Sequence, residues 1–154
     1  MSNYQAVIQW NKQSTELFVD RKYSRVHHWL FSSGTRIAAS SSPSIVPVPY
    51  SNEAHIDPEE AFVAALSSCH MLFFLDLAAQ RKLMIESYYD DALGTLGLNH
   101  LGKTAMTKVV LNPKVIWGAG VEVEHSLIES LHHQAHELCF IANSVQTDVS
   151  INLA

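Results

Sequence analysis

The stretch Asp57-Pro58-Glu59-Glu60-Ala61-Phe62-Val63-Ala64-Ala65-Leu66-Ser67-Ser68-Cys69 opens a helix with explicit punctuation and then turns apolar. Asp57 suits the N-cap and Pro58 the first helical position, while Glu60 closes a reciprocal capping pair with Asp57. Apolar residues continue through Met71-Leu72-Phe73-Phe74-Leu75 to about Gln80, ahead of Arg81-Lys82. A helix that is apolar on every side must be covered on every side. Residues 61–79 approach the ~20 needed for a bilayer span. Ser67, Ser68, His70 and Asp76 interrupt them, and polar groups are costly inside a membrane. The reading is therefore a central buried helix of a soluble protein. One small sheet covers only one side of such a helix, so a second copy of the chain is expected on the other.

Working outward, residues 5–10, 24–31 and 36–40 read as a strand meander, with Ser33-Gly34 turning between the last two. Pro43, Pro47 and Pro49 exclude a helix from residues 42–56. That segment is expected as a long loop, a type that is often functional. Downstream, residues 85–96 and 103–117 read as two strands joined around 97–102, the second interrupted by Pro113. The pattern Ser126-x-x-Glu129 predicts a helix from about Leu127 to Ala142, and residues 145–153 close the chain as a strand. The order βββ-α-ββ-α-β is α+β, and 154 residues fit one domain spanning 1–154.

Apolar residues make up 47% and charged residues 16% of the chain, the balance of a globular protein. With a formal charge of −5 and no Lys/Arg block, neither nucleic acid nor an anionic membrane surface is an expected partner. Met1-Ser2-Asn3-Tyr4-Gln5 has neither the basic segment nor the apolar run of a secretory signal. A cytoplasmic location with reduced thiols is expected. Cys69 and Cys139 match no zinc-finger spacing and are too few for a disulfide scaffold. They are either inert core residues or chemical groups.

Cys69 lies about 16 Å along the helix from Pro58, beyond the reach of the helix dipole. The thiolate is the nucleophile and burial raises a thiol pKa, so a reactive Cys69 needs a cation beside it. Arg21, Arg25 and Arg36 are the upstream sources; otherwise Cys69 is a small core residue. Cys139 shares a helix face with His132 and His136. It could resolve an oxidised Cys69, join those histidines in a metal site, or sit in the core beside solvated imidazoles. Glu59 is about 15 Å from Cys69 along a straight helix. Either it serves Cys69 of a second, antiparallel copy, or it is an acid stabilised by the helix N-terminus.

The 57–69 string resembles the first-helix motif of the OsmC/Ohr family, in which Asn/Asp-Pro-Glu and small apolar residues lead to Cys. Ala135-His136-Glu137-Leu138-Cys139, followed by a final strand, is similar to the family's second cysteine motif. The order of elements agrees along essentially the whole chain. Where many members carry Pro after the second Cys, this chain has Phe140. The resemblance implies an intertwined homodimer that reduces alkyl or fatty-acid hydroperoxides without metal or organic cofactor. It implies Cys69 as the peroxidatic thiol, Cys139 as the resolving thiol, and Glu59 as the acid that orients an arginine. Arg25 is the preferred arginine and Arg21 the alternative. A dithiol of the lipoyl type is the reductant that the resemblance implies. Phe62, Met71, Phe73 and Tyr50 would favour a lipophilic peroxide. The competing readings are a non-catalytic OsmC-like dimer that binds an apolar ligand, and metal binding through His132, His136 and Cys139.

Overall fold

In the computed structural model, which describes residues 1–153, the meander forms from β1 (Ala6–Gln9), β2 (His27–Phe31) and β3 (Arg36–Ala39). They make one antiparallel sheet in that order. The tight turn after Phe31 needs Gly34 at φ 85°, where its N–H reaches the Phe31 carbonyl at 2.9 Å. β2 starts later than expected because the residues before it spend their backbone groups elsewhere. The Ser24 carbonyl accepts from Trp10 Nε1 at 2.8 Å, and the Arg25 N–H donates to the Tyr50 carbonyl at 2.8 Å. The proline-bearing loop thus stays irregular yet is tied to the meander, as it is also through the Asn52 N–H donating to buried Ser40 Oγ at 3.0 Å.

The chain divides into two compact units, Met1–Ala61 and Phe62–Ala154. Helix α1 (Pro58–Gln80) starts at the end of the first, where the capping pair forms as read. The Glu60 N–H donates to Asp57 Oδ1 at 2.8 Å, and the Asp57 N–H to Glu60 Oε2 at 3.3 Å.

In the second unit α1 buries the stripe Leu66, His70, Phe74, Leu77 and Ala78 and leaves Leu72 62% exposed. Each of the two long strands expected after it is divided in two, into β4 (Ile85–Asp90) and β5 (Leu93–Leu98), then β6 (Thr104–Leu111) and β7 (Pro113–Trp117). A side-chain corner makes the break. The Asp90 carboxylate accepts the Asn112 N–H at 2.6 Å and the Ser67 hydroxyl, and Asn112 Nδ2 donates to the Asp91 carbonyl at 2.8 Å. These groups are withdrawn from the ladder, and Pro113 has no N–H to give it. β4 pairs with β7, while β5, β6 and β8 (Asp148–Ile151) form a second sheet in which β8 runs parallel to β6.

Helix α2 (His125–Leu138) corrects the boundaries read from sequence. Glu124 is its N-cap without a side-chain bond, so the Ser126-x-x-Glu129 pair does not cap it. It also ends before Cys139, whose extended backbone leads to a short 3-10 turn at Ala142–Ser144. Both apolar cores belong to this unit. One joins Phe74, Leu77, Leu131 and Ala135, and the other Leu66, Val109 and Leu111. The fold is mixed α+β.

Candidate active site

Cys69 sits in the middle of α1, and Cys139 is placed by the end of α2, where the extended C-cap turns its thiol inward. The two thiols are neighbours: Cys69 is among the groups that raise the pKa of Cys139. Both are free, Cys69 half-buried and Cys139 only 1% exposed. Burial chiefly, then the contact with Cys69, pushes the Cys139 thiol up to about 11. The Ala142 N–H works the other way, donating to Cys139 Sγ at 3.4 Å. Neighbouring thiols can close to a disulfide where their Cα atoms come within about 7 Å. Phe140, which follows Cys139 instead of proline, sets its ring edge-on to Phe73 with centroids 5.1 Å apart. That ring is otherwise 70% exposed.

The other two residues singled out from sequence, Arg25 and Glu59, line one cavity of about 510 Å³ in the first unit. Arg25 is held by backbone and ring. Its Nη1 donates to the Arg21 carbonyl at 2.9 Å and to the Tyr23 carbonyl, and its Cζ lies 3.7 Å from the Tyr23 ring centroid. Arg21, the alternative arginine, here supplies a carbonyl to Arg25. Among the described residues Glu59 makes no ion pair with Arg25, so the guanidinium keeps donors for an incoming acceptor.

A family model of OsmC-like proteins matches residues 51–154. The chain belongs to the OsmC-like family. An OsmC-like protein of unknown function from Vibrio cholerae is similar over 100% of both chains, at 52% identity and a TM-score of 0.98. The organic hydroperoxide resistance protein OsmC from Legionella pneumophila, at 15% identity and a TM-score of 0.67 over 99% of this chain and 100% of its own, shares the fold. So does an organic hydroperoxide resistance protein from Elizabethkingia anophelis, at 14% identity and a TM-score of 0.71 over 100% of this chain and 98% of its own. No curated protein matches the chain.

This OsmC-like chain departs from its sequence reading at the histidines. His132, read as part of a solvated face, is 2% exposed, and His70 of α1 is 1% exposed. Their rings are parallel and share a hydrogen bond, His70 Nε2 to His132 Nδ1, at 2.9 Å. His132 also stacks on Phe74 at 4.1 Å. The signal was available in the helical period. His70 lies four residues from both Leu66 and Phe74, and His132 three from Ala135, each on the buried stripe of its helix. Among the described residues no three His, Cys, Asp or Glu side chains converge to hold a metal, so His132, His136 and Cys139 do not form the ligand set considered above.

The apolar surroundings differ as well. Phe62 lines a separate cavity with Met106, Phe73 packs on a core, and Tyr50 contributes a carbonyl. The rings beside Arg25 are instead Trp10, Phe18 and Tyr23, which no periodicity connects.

Proposed function

We propose that this protein is a cysteine-based reductase of organic hydroperoxides. The observation that carries the reading is the pairing of the Cys69 and Cys139 thiols as neighbours that influence each other, in a chain that shares its fold with proteins named for organic hydroperoxide resistance. The Cys69 thiolate attacks the terminal peroxide oxygen. The O–O bond breaks, and the alkoxide takes a proton and leaves as an alcohol. The resulting sulfenic acid condenses with the Cys139 thiol, which forms the disulfide and releases water. A dithiol reductant, of the lipoyl type, then restores both thiols by exchange.

In this reading the Arg25 guanidinium holds Cys69 as thiolate and polarises the peroxide, and Glu59 orients Arg25 once the site is assembled. The working form is a homodimer in the cytoplasm. The exposed Leu72 side of α1 and the lack of an apolar core in the first unit support the dimer. Mixing the reduced protein with an alkyl hydroperoxide tests the proposal. Stoichiometric thiol loss and an intrachain disulfide, both abolished by Cys69→Ser, are expected. Thiols that survive the peroxide, or thiol loss that persists in Cys69→Ser, would overturn it.

A further inference from the structure

The first unit spends backbone strain to build one feature. Phe18 and Arg21 are not glycines, yet they adopt φ of 69° and 64°. For a bulky side chain this left-handed conformation is unfavourable and persists only where the surroundings enforce it. The enforcement is visible. The Glu16 carboxylate accepts the N–H groups of Gln13 at 3.0 Å and Ser24 at 2.7 Å, and the Arg21 N–H closes onto the Phe18 carbonyl at 2.9 Å.

Two consequences follow for the Arg25 cavity. The turn at Arg21 delivers the carbonyl that holds Arg25 Nη1. The turn at Phe18 delivers a ring into contact with two others: Phe18 to Tyr23 at 4.6 Å, Trp10 to Tyr23 at 5.5 Å, and Trp10 to Phe18 at 5.7 Å. Their planes are inclined by 37°, 70° and 46° respectively, so the rings form a corner rather than a stack. Trp10 and Phe18 remain 37% and 43% exposed and belong to neither core, so core packing does not account for them. Arg25 lies on the Tyr23 ring at the polar end of this corner.

We infer that the Trp10–Phe18–Tyr23 corner is a recognition subsite for the flat, aromatic or conjugated carbon group of a hydroperoxide, with the peroxy group directed to Arg25. The inference deepens the peroxidase reading and rests on it for the identity of the ligand. An aryl group can meet one ring face-on and another edge-on, whereas a compact branched alkyl group gains contact area alone. The selectivity therefore lies in the shape of the carbon group and not in the peroxide.

The test is chosen so that the two readings can fail separately. In the non-reactive Cys69→Ser protein, binding of the product alcohols 2-phenyl-2-propanol and tert-butanol is measured by ligand-observed NMR. The aryl alcohol is expected to bind about tenfold more tightly. Phe18→Gly removes a ring where the backbone already suits glycine, so the protein stays folded, and it should bring the ratio close to one. In the reactive protein the same substitution should lower kcat/KM for cumene hydroperoxide by about tenfold more than for tert-butyl hydroperoxide. Equal binding of the two alcohols, or a ratio untouched by Phe18→Gly and Tyr23→Leu, overturns the subsite even where thiol loss occurs. Aryl-selective binding in a protein whose thiols resist peroxide upholds the corner and sinks only the peroxidase reading.

Discussion

The Cys139 thiol, 1% exposed, has its pKa raised by the neighbouring thiol of Cys69, seventy positions away in the chain. The pair links the centre of α1 to the C-cap of α2, and its two members are unequal. Cys139 carries most of the burial and has the Ala142 N–H on its sulfur, whereas Cys69 is half-buried. That asymmetry suits a division of labour in which the more accessible sulfur meets the peroxide and the enclosed one waits for it.

The first prediction concerns pH. With Cys139 raised to about 11 by burial and by Cys69, roughly one molecule in ten thousand carries it as thiolate at neutral pH. Thiolate is the attacking species, so disulfide closure should accelerate about tenfold per pH unit from about pH 6 to about pH 9. Rapid mixing of reduced protein with one equivalent of hydroperoxide, followed by acid quench and mass analysis, reads the rate. A closure rate flat over that interval would show that proton loss from Cys139 does not limit it. Cys139→Ser should leave Cys69 as sulfenic acid after one equivalent, and a second equivalent should carry it to sulfinic acid, each step visible as one added oxygen by mass.

What sequence could and could not reveal divides along the range of the interactions. The start of α1 was legible because Asp57, Pro58 and Glu60 act on their own neighbours. The corner that splits the long strands was not, because Asp90 finds its partners at Ser67 and Asn112, both more than twenty residues away. The early stop of α2 was hidden as well, because no proline or glycine marks the extended backbone at Cys139. Of the candidate site, the cysteines were read through motif resemblance, since composition alone left core residues and chemical groups both open. Trp10, Phe18 and Tyr23 come together across an irregular loop, and no repeat in the chain announces it.

The second prediction follows from the buried histidines. Burial first, then the neighbouring His132 and His136, lowers His70 to about 3, and burial lowers His132 to about 4. The unfolded chain takes up protons below about 6.5 while the folded pair stays neutral. The pair's contribution to stability is therefore complete above that pH and declines as pH falls toward 4 and then 3. Melting temperatures by circular dichroism should drop steeply along this limb. The double variant His70→Asn/His132→Asn should be less stable at neutral pH and show a flatter acid limb. An unchanged slope would assign the acid sensitivity to other groups.

A third prediction tests packing between α1 and the second sheet. A Cβ at Gly94 would lie 2.5 Å from Val63 Cγ2 and would also collide with Met106 Cε. The methionine end can swing aside, but Val63 is a short branched side chain on a helix and has little room to give. Gly94→Ala should therefore cost about 1–3 kcal/mol in urea unfolding despite the better strand propensity of alanine. Stability equal to the parent would mean that the sheet shifts freely against the helix. Pairing the change with Val63→Ala should recover part of the loss.

The fourth prediction isolates the corner at Asp90. One of its carboxylate oxygens accepts the Asn112 N–H at 2.6 Å and the other takes the Ser67 hydroxyl, so a single side chain ends two strands and ties them to α1. Asp90→Ala leaves the Asn112 N–H and the Ser67 hydroxyl without acceptors in partly buried positions, a loss of about 1–3 kcal/mol. Asp90→Asn keeps one oxygen for the Asn112 N–H and offers an amide donor to Ser67 Oγ, which can turn and accept. It should therefore retain most of the stability. The order parent, Asp90→Asn, Asp90→Ala in urea midpoints supports a hydrogen-bonded corner. If the two variants lose equally, the charge of Asp90 rather than its acceptor geometry holds the strands, and added salt should then narrow the gap to the parent.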